Sequence, residues 1–333
     1  MSIFLLQLQL LYLGHRRSAL GAASLIVFGL CCWFLFTRSI GLPILPSSVL
    51  LKSDIAANAT EHGGGLAQLS RAIVRNVLES ITGRQGILLI LALIVVLILS
   101  CSAWRKKQYN IAIVIGGLTI FTGLAHIFGG HYGWFNRYEI YVETLVMISA
   151  LVLGRSYLIK AEVKYSVLFG CLLVIAPYIR STFLTPKAAQ NIYQQQYQMH
   201  RFAVEYWKQP IAVNDLGWVS YNNSSYVLDL YGLGSEEVRR LRMTGGEGSD
   251  AAKTLFTLVE RRHVLLIMIY DNWFNKIPAA WQKVAILNTS QVTAASDKVS
   301  FYITPAAPRT HVLDLLHKFG KTLPKGAYLS TVY

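Results

Sequence analysis

HIFGGHYGWFNRYEIYVE, residues 126 to 143, decides how the chain is read. It sets two His, three Tyr, Trp134, Phe135, Arg137, Glu139 and Glu143 around a Gly-rich turn. Long apolar runs flank it on both sides. A polar, aromatic knot between apolar runs is the pattern of membrane helices joined at a membrane surface. Trp and Tyr rings settle at that level because one end is apolar and the other polar.

The whole chain agrees. Hydrophobic residues make up 53% of the 333 and charged residues only 14%, against about a quarter in soluble domains. Mean hydropathy is +0.42. The net charge of +14 raises nucleic-acid binding as a rival. The basic residues form no single face or stripe, however, and many cluster beside apolar runs. That placement fixes membrane orientation, so no nucleic-acid partner is expected. The four cysteines, Cys31, Cys32, Cys101 and Cys171, lie in or at the ends of apolar segments. They offer no disulfide framework or zinc spacing for the polar C-terminal part.

Residues 3–13 are apolar but too short for a span of roughly 20 residues. They read as the second half of a membrane helix or as a surface helix. Five spans follow: Ala19–Phe36, Gly86–Trp104, Asn110–Phe128, Ile140–Ile159 and Tyr165–Ile179. Arg16 and Arg17, then Arg105, Lys106 and Lys107, then Arg155, Lys160 and Lys164 fall on one side if the five alternate. Short-loop Lys and Arg mark the cytoplasmic side. The loop 37–85, the knot and everything after Ser181 are then external. Within that loop, Leu66, Leu69, Ile73, Val77 and Ile81 have helical spacing, which predicts a helix resting its apolar side on the bilayer.

The expected fold is an α-helical multi-pass membrane domain over 1–182, followed by an external soluble α/β domain over 183–333. In the latter, Ala188–Lys208 reads as a helix ended by Pro210. Strands are expected at Ile211–Val213, Tyr226–Leu230, Val264–Tyr270, Val284–Leu287 and Val299–Ile303. Helices are expected at Ser235–Arg242, Asp250–Arg262 and Thr310–Phe319. Strands alternating with helices predict a mainly parallel sheet.

Three stretches resemble bacterial multi-pass glycosyltransferases of the GT-C type. GLPILPSSVLLKS, residues 41–53, resembles the "LPN-S/T…K" segment of an external loop. The 126–143 stretch resembles the "H…G…W…RYE-Y" segment between two late helices. VNDLGWVSYNNSSYVLDLYGLGSEEVRR, residues 213–240, resembles a segment of the external C-terminal domain. The likeness covers nearly the whole chain, but only the C-terminal half of such enzymes. The first external loop that carries the family's catalytic acid has no matching counterpart, so the C-terminal portion of an enzyme is expected. The resemblance implies sugar transfer from a polyprenyl-phosphate donor to a glycan or lipid acceptor, at the outer face of a bacterial cytoplasmic membrane, with divalent metal in some members.

Each candidate residue has a plainer reading beside it. Arg137 is the candidate for the donor phosphate, since guanidinium grips phosphate in two-pronged geometry; the alternative is a snorkelling helix anchor. Lys52 is a second phosphate candidate. Trp134, Tyr138 and Glu139 complete the donor set, where the aromatic rings could equally form an interface belt. Glu143 lies a turn inside a span, where an ionisable group is costly. It is a candidate acid–base group or half of an ion pair with Arg137. Asp54 is a second candidate base. His126 and His131 are candidate metal ligands, though interface histidines bonded to backbone fit as well. Asp215 and Asp229 close strand candidates, where ligands bind or turns are capped. The function alternative is a non-catalytic membrane protein whose external domain binds a glycan or protein.

Overall fold

A computed structural model describes residues 14–53, 66–243 and 249–332. The chain divides into two compact units, Met1–Phe183 and Leu184–Tyr333.

The first unit is helical. Its elements are α1 (Arg16–Ser39), α2 (Ser47–Lys52), α3 (Leu66–Thr82), α4 (Arg84–Arg105), α5 (Leu118–Gly129, preceded by a π-helical turn Ala112–Gly117), α6 (Ile140–Gly154) and α7 (Ala161–Gln194). Among the described residues three helical stretches are long and apolar enough to cross a membrane: Arg16–Ser39, Arg84–Arg105 and the one beginning at Ala161. The third and fourth expected spans are shorter apolar helices, Val114–Gly129 and Ile140–Gly154. Leu89, Leu93 and Val96 of α4 pack with Ile127 of α5 and Val142 and Val146 of α6. Gly123 sets the α4–α5 approach, because a Cβ there would meet both Leu93 methyls at 2.5 Å.

Helix α3 forms over the expected residues, but its buried side is not the apolar one. Ala72, Asn76 and Ser80 face inward. The Asn76 amide donates to the Phe128 carbonyl at 3.1 Å, satisfying one of the acceptors left open at the end of α5. Ser80 Oγ sits 2.9 Å from the Tyr132 hydroxyl.

The second unit is a three-layer α/β/α domain. Its elements are α8 (Gln196–Arg201, continued by a π turn Phe202–Trp207), β1 (Ile211–Val213), α9 (Leu216–Ser220), β2 (Val227–Asp229), α10 (Glu236–Met243), α11 (Ser249–Arg261), β3 (Leu266–Ile269), β4 (Gln282–Asn288), β5 (Lys298–Ile303), α12 (Arg309–Gly320) and β6 (Tyr328–Thr331). The sheet order is β2-β1-β3-β5-β4-β6. In β3 and the residue after it, Leu266, Met268 and Tyr270 face a core built with Met199, Phe202, Phe301 and Phe319. Ile267 and Ile269 face the opposite core with Val238, Leu258 and Val259. A strand covered on both faces needs an unbroken apolar run, and the sequence supplies one.

The sheet corrects one expectation. It is mixed, not mainly parallel: β1 runs parallel to β2 and β3, while β3–β5, β4–β5 and β4–β6 are antiparallel. The cause is local. No helix separates β4 from β5, so the chain has no crossover and must turn back as a hairpin.

The loop of that hairpin is held by amides from the end of α7. Asn191 is fully buried. Its Oδ1 accepts the backbone N–H groups of Val292, Thr293 and Ala294 at 3.1, 3.0 and 2.9 Å. Its Nδ2 donates to the Ser290 carbonyl at 2.5 Å. Gln195 Nε2 donates to Thr289 Oγ1 and the Ser296 carbonyl at 2.9 and 2.8 Å. Removing such a side chain strands buried backbone donors, at about 1–3 kcal/mol for each left unpaired. Asn191→Ala is expected to lower the melting midpoint of the second unit by roughly 6–12 °C, at about 2–4 °C per kcal/mol. A shift under about 2 °C in calorimetry, on that same scale, would show that the loop holds itself.

Candidate functional site

The knot between α5 and α6 is held in an unusual backbone. Gly133, Trp134, Phe135 and Asn136 have φ of +89°, +50°, +68° and +57°. Gly adopts that region freely, but other residues lose roughly 1–2 kcal/mol apiece. Such strain persists only where surrounding structure over-determines it, and it gathers at functional sites. The surroundings here are specific. Gln85 Nε2 donates to Asn136 Oδ1 at 3.2 Å. Asn136 Nδ2 donates to the Pro177 carbonyl at 3.2 Å and to Ser181 Oγ at 2.8 Å. The Gly133 N–H donates to Glu139 Oε2 at 3.0 Å.

This frame brings four expected residues together. The Arg137 guanidinium lies over the Trp134 ring at 5.8 Å and the Tyr138 ring at 5.2 Å. Its Nη2 donates weakly to the Tyr138 hydroxyl at 3.4 Å. No carboxylate among the described residues pairs with it. The result is an exposed, uncompensated cation braced by two aromatic faces, a contact worth about 0.5–1 kcal/mol at exposed sites. Glu139 is fully buried and serves the turn itself by accepting Gly133.

The other candidates fall elsewhere. Glu143 is buried and makes no ion pair with Arg137; its Oε2 has no hydrogen-bond partner among the described residues. It lines a narrow cleft with Leu88, Leu89, Ala92, Val146, Met147 and Val174. The buried Tyr178 hydroxyl lies beside its carboxylate. His126 Nδ1 bonds the Tyr141 hydroxyl at 2.8 Å, and its ring meets those of Tyr132 and Tyr141 edge-on. His131 is half-buried at the start of the turn. Among the described residues no three His, Cys, Asp or Glu side chains gather in a metal-holding group. His126 Nε2 has no hydrogen-bond partner among the described residues, but with no second and third ligand gathered beside it the residues present do not fit a divalent metal. Lys52 closes α2, but its side chain, and all of Asp54, lie outside the described residues.

In the second unit the two strand-end aspartates separate. Asp229 is a turn residue: its oxygens accept the N–H groups of Tyr231 at 2.7 Å and Gly234 at 2.6 Å. Asp215 makes no cap bond for α9. Its Oδ2 instead receives Gln196 Nε2 at 3.2 Å and lies 3.0 Å from the Tyr270 hydroxyl. That hydroxyl also sits 2.7 Å from Gln195 Oε1, so one proton serves two acceptors.

The family described as "Domain of unknown function (DUF8728)" matches residues 190–302. No curated protein and no solved structure matches the chain. The matched stretch opens beside Asn191 and takes in Asp215 and Tyr270.

Sequence reasoning missed Asn136, Gln85 and Tyr270. Asn136 carried a usable signal, since Asn tolerates the left-handed region and follows a glycine by three. Asn136→Ala loses its amide bonds and keeps the strain, whereas Asn136→Gly loses the bonds and relieves the strain. The glycine variant is expected to be more stable than the alanine variant by about 1 kcal/mol, read from thermal midpoints in detergent. The reverse order would refute the strained-turn account.

Burial, then the negative charge and hydrogen bond of Asp215, push the Tyr270 phenol well above its ordinary value of 10.0. The folded state therefore keeps a proton that the unfolded chain releases above pH 10. This contribution is whole below pH 10 and falls as pH rises beyond it. Tyr270→Phe is expected to cost about 1–3 kcal/mol near neutrality and to flatten the loss of stability between pH 10 and 11. An unchanged alkaline slope in denaturant titrations would remove Tyr270 as its source.

Proposed function

We propose that the chain is a membrane glycosyltransferase-like protein, the C-terminal portion of a GT-C type enzyme, whose knot receives the phosphate of a polyprenyl-linked sugar. The observation that carries this reading is Arg137: an exposed guanidinium that no carboxylate among the described residues pairs with, lying over Trp134 and Tyr138 in a strained and heavily bonded turn. A mobile snorkelling anchor needs no such frame. Phosphate is the natural counter-ion for a planar guanidinium, and the rings offer faces to a sugar or to the first prenyl units.

In this reading five helices cross a bacterial cytoplasmic membrane, with the knot and the α/β unit on the external side. The acceptor oxygen bonds to the anomeric carbon as the sugar–phosphate bond breaks. The bond's electron pair leaves with the phosphate, where Arg137 meets the growing charge. The acceptor proton goes to a carboxylate, which the family resemblance assigns to the first external loop; Glu143, buried in its apolar cleft a turn below the knot, is not placed to take it.

A second reading is a partner subunit that binds without transfer. The exposed aromatic side chains Trp218 and Tyr221 of the second unit favour it.

The test is retention of radiolabelled undecaprenyl phosphate by the full chain in lipid nanodiscs. Arg137→Ala is expected to weaken retention by about tenfold to a hundredfold, the worth of a charge-assisted pair. Arg137→Lys should fall between, keeping charge but losing the fork. Equal retention by wild type and Arg137→Ala would end the donor-site reading.

A further inference from the structure

We propose that the α/β unit carries a binding subsite for a neutral glycan at the C-terminal end of β1, with Trp218 and Tyr221 as its platform and Asp215 as its anchor. The subsite deepens the sugar-transfer reading by naming the acceptor class, and it rests on that reading for the role of the bound glycan.

Three independent observations meet there. The first is position. β1, β2 and β3 are parallel, so their C-terminal ends share one edge of the sheet, where ligands of open α/β sheets bind. Asp215 follows β1 by two residues, and Tyr270 directly follows β3.

The second is a carboxylate held in one orientation with half its capacity unused. Asp215 Oδ2 is engaged by Gln196 and Tyr270. Asp215 Oδ1 has no hydrogen bond among the described residues and is not a buried orphan. Turn formation explains Asp229, which spends both oxygens on backbone N–H groups, but it leaves Asp215 unexplained. No Lys or Arg among the described residues pairs with Asp215. A fixed, unpaired carboxylate oxygen accepts hydroxyl hydrogens and repels anions.

The third is the platform. Trp218 and Tyr221 are 41% and 62% exposed, and their ring centroids lie 5.8 Å apart. Trp218 is braced by Tyr197, edge-to-face at 5.4 Å, and by the tilted His200 ring at 6.0 Å. Single exposed aromatics are ordinary. A braced ring three residues from an idle carboxylate is a different arrangement. A pyranose presents an apolar C–H face to a ring and hydroxyls at its edge, which is the pairing this surface offers.

The experiment uses the full chain in nanodiscs of phosphatidylethanolamine and phosphatidylglycerol, without polyprenyl lipid. Cellotetraose, mannotetraose and chitotetraose are titrated in turn, with saturation-transfer NMR and tryptophan fluorescence as readouts. At least one is expected to bind saturably, with a Kd on the order of millimolar. Trp218→Ala is expected to weaken it by about tenfold, the worth of one aromatic contact, and Trp218→Phe by only about threefold. Tyr221→Ala, at an exposed position that spares the core, is expected to weaken it by about threefold and guards against a Trp218→Ala chain that fails to fold. Saturable binding to none of the three sugars overturns the subsite, as does equal affinity in wild type, Trp218→Ala and Tyr221→Ala. A chain that binds glycan in this way yet does not retain undecaprenyl phosphate keeps the subsite and loses the donor reading; the converse result does the opposite.

Discussion

The side chain of Asn136 is the constraint on which the first unit turns. It accepts a hydrogen bond from Gln85 on α4 and donates two, to the Pro177 carbonyl and to Ser181 on α7. Three segments far apart in sequence thereby close on one residue of left-handed backbone. The need is physical. A chain reversing between packed apolar helices must satisfy its own peptide groups wherever those neighbours keep water away. The turn meets that need with side chains: Glu139 for Gly133, Asn136 for Pro177, and, one helix away, Asn76 for Phe128. Polar residues inside an apolar unit are here the means of folding it.

The second unit solves the same problem with side chains of its own. Its ten-residue-scale hairpin loop has no secondary structure between Thr289 and Asp297. Water could solvate such a loop, yet Asn191 and Gln195 bond its backbone instead. Each amide carries donors and an acceptor on one rigid plane, so a few side chains replace a strand's worth of ladder bonds. The tract QNIYQQQYQ is polar for this reason. Gln194, Gln195, Gln196 and Gln198 are buried, so these glutamines are interior cross-braces, while Gln190 alone of the tract's glutamines is exposed.

This separates what could be read in the sequence from what could not. Apolar runs and periodicity placed most of the helices and five of the six strands, because apolar repeat and local propensity act over a few neighbours; the short helices α2 and α9 were not foreseen. The run VLLIMIY announced a strand buried on both faces. Strand direction depends on what lies between strands, and the stretch from Thr289 to Asp297 carried no helical period, which argued for the hairpin that the mainly parallel expectation passed over. β6 is short and mostly exposed, so it left little apolar signal. Long-range pairs were not legible at all. Asp215 and Tyr270 lie 55 residues apart, and nothing local to either announces the other. At the knot, residue types and position were legible, but the division of labour among them was not.

That division bears on chemistry. Glu139 and Glu143 are four residues apart, a spacing that puts two side chains on one face of a helix. Glu139 instead caps the turn from outside α6, its Oε2 committed to Gly133, while Glu143 lies a full turn deeper in an apolar cleft. Neither carboxylate reaches Arg137. Had Glu139 paired with the guanidinium, the pair would be nearly neutral and would compete with any anion that approached. A backbone N–H is a milder partner: it holds the carboxylate without cancelling a charge. By giving its acid to the peptide chain and its cation to aromatic faces, the knot keeps a full positive charge at its rim. An anion reaching Arg137 therefore displaces only water and a weak contact to Tyr138, with no ion pair to break first.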